Sequence, residues 1–151
     1  VLGIRRSGGQ VRSNFSQTNK PKTNMRKVTD HKLNGLNDAL EINVLDEPGQ
    51  DGANHVYQIY LDESQRNDPK DGTVYLTVNF QNGPIQEAGV NGISNEALLA
   101  VVIDRLRSFQ AGQYSCRETA CALTHLETSL MWINKRTCDR MARGVEGTNV
   151  K

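Results

Sequence analysis

A chain of 151 residues with a net charge of +1 is long enough for one domain of ordinary size. Mean hydropathy is low, at −0.59, and only eight residues are aromatic, so a single-chain core is thin and some apolar surface is expected to be buried by self-association. Three cysteines do not make a disulfide framework, and no apolar run approaches the ~20 residues of a membrane span.

The charge is unevenly spread. Residues 1–24 hold Arg5, Arg6, Arg12, Lys20 and Lys22 and no acid. They are rich in Gly, Ser, Asn and Thr and show no period, which predicts a disordered basic tail. They also lack the apolar stretch of a signal peptide. The composition breaks at Met25. One reading makes Met25 the natural first residue and the tail a product of an upstream start; the other keeps a real basic arm. The sharp break favours the first. Residues 25–151 hold thirteen basic and seventeen acidic residues, a net of −4, which argues against a general nucleic-acid binder.

From Leu33 to about Gly89 the pattern is that of strands. Leu40 to Val44, His55 to Leu61 and Thr73 to Phe80 alternate apolar and polar residues. In the last run Val74, Leu76, Val78 and Phe80 share one face. Turn chemistry separates the runs at Asp46 to Gly49, Asp68 to Gly72 and Gln81 to Pro84. A short strand from Ile85 to Ala88 is expected to follow. The β-rich part thus covers residues 25–92 as a small antiparallel sheet, wet on one side.

Residues 93–147 read as a helical hairpin. Ser94 is a good N-cap, and Glu96 suits the first turn. Leu98 to Ile103 is almost continuously apolar, so this helix is expected to touch more than one neighbour. It stops near Gly112. Ser115 and Glu118 form an S-x-x-E capping box for the second helix. Ala120, Leu123, Leu126 or Glu127, Leu130, Ile133 or Asn134, Thr137 and Met141 recur at about 3.5 residues, a long hairpin seam. Gly144 ends a helix of about eight turns.

Arg136, Arg140 and Arg143 stand at i, i+4 and i+7 on this second helix and share one face. Basic residues offset the negative end of a helix dipole in any case. Three on one face exceed that need and leave room for an anion site, because guanidinium forks pair with phosphate oxygens. Phe109, beside the glycine turn, is either a core or interface residue or a ring on which a base stacks.

Other candidates carry less. Cys121 and His125 stand at i, i+4 but have no second ligand pair, so the bland reading is a core thiol and a partly exposed imidazole. His31 and His55 are scattered. Cys116 sits at a helix start, where a thiolate is favoured, but no base can be assigned to it. The acidic loop residues Asp62, Glu63, Asp68 and Asp71 lack the order of a calcium loop. Val90 to Ile93 is a turn without a phosphate-loop motif. No nucleophile motif is present, and no metal or cofactor is expected.

Asn91 to Leu99, Asp104 to Gln110, Ala122 to Glu127, Met131-Trp132, Arg136-Thr137 and Arg143 to Thr148 together resemble a phage immune-evasion family. The domain from Met25 to Lys151 is similar to the first type of Thoeris anti-defence protein, most densely over Gly89–Thr148. That family shares its helical hairpin with the second anti-CBASS protein of phages. The resemblance implies a sponge, which binds cyclic nucleotide immune messengers and holds them intact. The implied ligand is glycocyclic ADP-ribose, with cyclic oligonucleotides of CBASS systems at a second site in some members.

Carried over, Phe109 matches the aromatic on the messenger, and Arg136 and Arg140 match the arginines on its phosphates. Arg143 extends this set. Thr119 stands where relatives are expected to carry Asn, keeping an oxygen but losing an amide donor. The resemblance implies a homodimer, with a hexamer built from dimers as the larger assembly, acting in the cytoplasm of an infected bacterial host.

The expected fold class is α+β, with a small N-terminal antiparallel sheet packed on a C-terminal two-helix hairpin. The expected function is non-catalytic sequestration that inhibits Thoeris defence. One alternative, a hydrolase of the same messengers, lacks an assignable nucleophile, base or metal. The other, a small phage nucleic-acid-binding protein, is opposed by the acidic body.

Overall fold

The structure, a computed structural model, describes residues 26–65 and 73–150. The predicted tail at 1–24 and the predicted turn at Asp68 to Gly72 lie outside the described residues.

Four strands, β1 (Arg26–Val28), β2 (Leu40–Val44), β3 (Val56–Leu61) and β4 (Val74–Asn79), form an antiparallel sheet in the order β1-β2-β3-β4. The alternation in the sequence sets the register. Ile42, Ile59 and Leu76 fall in one cross-strand row, and Val44, Tyr57 and Val78 in the next. These rows make one apolar face, where Val44 is 2 % exposed and Tyr57 meets Phe80 edge to face. The other face carries Asn43, Gln58 and Thr77, and Asn43 donates to the Tyr60 hydroxyl at 2.9 Å. Beside it, Glu41 lies between Lys27 at 2.9 Å and Lys32 at 3.1 Å. Bonds first to Lys27 and then to Lys32 hold the Glu41 carboxyl below its ordinary range.

The long β2–β3 connection folds around His55. The Asp46 carboxylate accepts the backbone N–H of both His55 and Val56, at 2.7 and 2.9 Å. Burial opposes the charge on Asp46, and these two donors outweigh it, so its carboxyl lies below the usual range. His55 is buried, with Nε2 3.2 Å from Asp51.

Short helices were not expected from the sequence. α1 (Gly35–Asp38) is capped by the Asn34 side chain. α2 (Ile85–Ala88) replaces the short strand expected there. Pro84 before it and Gly89 after it, with φ +67°, make a single helical turn, and four residues are too few for periodicity to separate turn from strand.

α3 (Asn95–Ala111) and α4 (Arg117–Ala142) form the hairpin. Ser94 caps α3 as expected, its hydroxyl accepting the Ala97 N–H at 3.1 Å. α4 starts one residue later than the capping box implies. Cys116 is the N-cap, its sulfur facing the Thr119 N–H at 3.5 Å. At 26 residues α4 has about seven turns. Ile103 of α3 is 2 % exposed and anchors the seam.

The α+β class is as expected: an antiparallel sheet precedes a helical hairpin. The junction is narrow. No described strand packs broadly on α3 or α4; the 80–93 connection joins the two parts instead. Phe80 and Ile93 form a parallel bridge, with Ile93 N–H on Asn79 O at 2.8 Å and Gln81 N–H on Ile93 O at 2.9 Å. Gly92 allows this approach, since a Cβ there would run into the Phe80 carbonyl. Among the described residues no helix is long and apolar enough to cross a membrane.

Candidate functional site: the two ends of the hairpin

The tip of the hairpin is held by one side chain. The Gln110 amide accepts the Cys116 N–H at 3.0 Å and donates to the Cys116 carbonyl at 2.8 Å. This fixes the turn at Gly112 to Ser115 and presents Tyr114, 70 % exposed. An open cleft of about 420 Å3 lies beside it, lined by Asp104, Arg105, Ser108, Phe109, Gly112 and Tyr114. The Arg105 guanidinium sits 5.0 Å from the Phe109 ring centroid, a cation–π contact that orients both groups. Phe109 remains 37 % exposed. Thr119 stands one turn into α4. Its hydroxyl oxygen accepts from the Cys116 thiol at 3.1 Å, so it is engaged in the cap.

The base of the hairpin is different. Arg136 is exposed, and its guanidinium has no partner among the described residues. Arg140, one turn later, is 9 % exposed. Its Nε donates to Glu146 at 2.9 Å, Nη1 to the Val150 carbonyl at 2.7 Å, and Nη2 to the carbonyls of Val145 and Thr148 at 2.8 Å each. The sequence places the arginines on one exposed polar face; the structure turns Arg140 inward. The cause is the chain reversal after α4, where Gly144 (φ +69°) and Gly147 (φ +75°) fold residues 145–150 back over the guanidinium. Arg143 is exposed and bonds the Asp139 carbonyl through Nε at 3.4 Å. The folded-back segment also grips α2. Gln86 N–H donates to Gly147 O at 3.2 Å, and the Gln86 side chain donates to Glu146 O at 3.0 Å.

Within one chain the two ends are far apart. Arg107 of α3 pairs with Glu127 of α4 at 2.7 Å, which marks where the two helices lie level with each other. Phe109 is two residues nearer the tip, and Arg136 is nine residues nearer the base. At 1.5 Å per residue, about 16 Å of helix axis separates Phe109 from Arg136, and about 22 Å separates it from Arg140. Phe109 and Thr119 therefore share the tip, Arg136, Arg140 and Arg143 share the base, and one protomer does not bring the two sets together. Sequence reasoning missed Arg105, Asp104 and Tyr114. The i, i+4 spacing of Arg105 and Phe109 was the available signal.

The remaining candidates are dispersed. Cys116, Cys121 and Cys138 are free and exposed, so Cys121 is not the core thiol expected. His125 is exposed and His55 buried. Among the described residues no group of three or more His, Cys, Asp or Glu side chains is placed to hold a metal.

The hairpin, with the strand before it, is the part of the chain that resembles known proteins. Residues 73–137 match the family model described as Acb2/Tad1, hairpin domain. The protein named Thoeris anti-defense 1, from Bacillus phage SBSphiJ7, is 59 % identical over 75 residues, which is 50 % of this chain and 53 % of that relative. The chain therefore spans about half the length of the curated relative it matches. The resemblance read from the sequence is shown over this segment. The family match stops at residue 137, before Arg140 and Arg143.

Proposed function

We propose that this chain is an anti-defence protein that sequesters a cyclic nucleotide messenger of a Thoeris system without chemically changing it. The messenger class is glycocyclic ADP-ribose, with CBASS cyclic oligonucleotides as further candidates. The observation that carries the reading is the tip cleft, where an exposed ring is stacked by a guanidinium. Ring and cation together suit a base and its phosphates. The likeness to a protein named for Thoeris anti-defence supports the biological setting.

The separation of Phe109 from Arg136 by about 16 Å gives this reading a structural requirement. The pocket is completed by a second copy, whose hairpin runs antiparallel and brings its own Arg136 to the first copy's tip. Exposed apolar side chains on the hairpin, among them Val101, Met131 and Trp132, the last 60 % exposed, are available for that contact. A homodimer is the minimum assembly, and a hexamer of three dimers extends it. Competing with an immune effector at ~1 nM needs about −12 kcal/mol. Enclosure between two rigid hairpins, with few side chains left to order, favours such affinity. The place of action is the cytoplasm of an infected host cell.

The test is calorimetric titration with a panel of cyclic nucleotides, light scattering for mass, and recovery of ligand by heating the complex. The expected result is a dimer or a multiple of one that releases unaltered glycocyclic ADP-ribose. Release of a cleaved product would make the protein an enzyme, and absence of binding to every cyclic nucleotide would end the reading.

A further inference from the structure

The narrow junction between sheet and hairpin is fastened twice. No described strand packs broadly on α3 or α4, and two folded parts with so small a shared surface move relative to each other unless something holds them. The 80–93 connection is braced from within. The Gln81 side chain donates to the carbonyls of Gly83 and Gly89 at 3.1 and 2.7 Å and accepts the Asn91 N–H at 2.9 Å. The Asn91 side chain accepts the Asn82 N–H and donates to the Asn82 carbonyl, both at 2.8 Å. This braced connection grips the sheet through the Phe80–Ile93 bridge and through Phe80 N–H on His55 O at 2.7 Å. It holds the hairpin covalently at Ile93-Ser94, where α3 begins. One such link is a hinge, because a few backbone torsions at an element's end absorb a large rotation.

We propose that residues 145–150 are a latch that locks this hinge, with Arg140 as its anchor on α4 and α2 as its catch on the connection. The anchor is specific. A guanidinium is a rigid planar fork, and Arg140 uses it to orient the Glu146 carboxylate and the carbonyls of Val145, Thr148 and Val150 together. The catch is equally defined. The Gln86 N–H lies in the first turn of α2, where no acceptor exists within the helix; Gly147 O supplies one at 3.2 Å. The Gln86 side chain adds its bond to Glu146 O at 3.0 Å. Gly147 lets the segment lie against α2, because a Cβ there would come 2.7 Å from Ile85 Cγ1. The start of α3 and the end of α4 are thereby fixed to one braced connection, at two separate points. Their orientation to the sheet is set without broad packing between the two parts. The latch is independent of any ligand and of the sequestration reading.

The test reads orientation rather than stability. Residual dipolar couplings of backbone N–H groups are measured on the full chain. Those of β2 and β3 and those of α3 and α4 are first fitted separately, so that a part that has lost its own fold is recognised as such. In the wild-type protein the two sets are expected to share one alignment frame. Arg140→Ala removes the anchor. Gly147→Ala lifts the segment from α2 and leaves Arg140 in place. Each is expected to lose the common frame while sheet and hairpin each keep their own. Gln86→Ala, which removes only the side-chain bond, is expected to diverge less in the same direction. The two main variants act at opposite ends of the segment, so failure of one to fold leaves the other to decide. Two frames in the wild-type protein, or a single frame kept in a folded Arg140→Ala or Gly147→Ala, overturns the inference and leaves residues 145–150 as a cover on one arginine.

Discussion

The two ends of the hairpin use arginine in opposite ways. At the tip, Arg105 lies on a ring beside an open cleft and keeps its donors available. At the base, Arg140 is enclosed, with four bonds to a carboxylate and three carbonyls. Arg136, one turn before it, is exposed. Helical spacing assigns a direction to a side chain; what the chain does after the helix decides whether that direction meets solvent or a folded-back segment. The lesson is that a row of like residues need not share a role.

The largest effect that would sharpen this contrast is on stability. Arg140→Ala is expected to destabilise the protein by about 3 kcal/mol, the scale of charged hydrogen bonds lost together with their enclosure. Chemical denaturation measures this, and faster proteolysis within 145–150 should accompany it. A variant as stable as wild type would break the contrast. Gly147→Ala should fall in the same direction by about 1–3 kcal/mol. A Cβ there lies 2.7 Å from Ile85 Cγ1, and φ is +75°. Fluorescence-detected unfolding would check it.

Arg136→Ala should separate the two residues further. Folding stability should change by less than about 0.5 kcal/mol, as for an exposed surface position. Messenger binding should weaken by about 1.5–3 kcal/mol, the worth of a charged hydrogen bond. Phe109→Ala should likewise cost more in binding than in stability. Calorimetry paired with thermal melts reads both, and a binding loss no larger than the stability loss would remove either residue from the site.

The smallest effect concerns pH and belongs to the sheet. The folded-state carboxyl of Glu41 is depressed by Lys27 and Lys32 below its ordinary value of 4.5. The folded protein therefore binds this proton less tightly than the unfolded chain. The stabilisation is fully present above that ordinary value and is lost as pH falls through the depressed one. Glu41→Gln should flatten the acid side of a stability profile, and an unchanged profile would show that other carboxylates carry the acid loss.

Much of the fold was legible because it rests on patterns that recur along the chain. β2 was read to the residue, and β3 and β4 to within one at either end, since alternation there is strict. Ser94 was readable as a cap because its oxygen is part of its identity. The start of α4 was not, because Gln110 fixes the backbone of Cys116 from across the turn, and no local motif records that. β1, with Arg26 and Lys27 among its three residues, is too short and charged to show a period. The burial of Arg140 was hidden for a deeper reason: three of its four partners are backbone carbonyls, which every sequence has. Gly144 and Gly147 were the only written trace of the reversal that delivers them. Phe109 was found, but Tyr114 was not, because the turn that presents it is held by the Gln110 side chain from across the turn.

The Gln110 side chain takes the place of a neighbouring strand, offering Cys116 one acceptor and one donor. The turn is thus closed by residues outside it, at 110 and 116. Positions 113 and 114 are released from any duty in holding the loop shut, and Tyr114 can be exchanged for another residue at little cost to folding. A chain with this arrangement can change the surface it presents at position 114 while the turn beneath it stays closed.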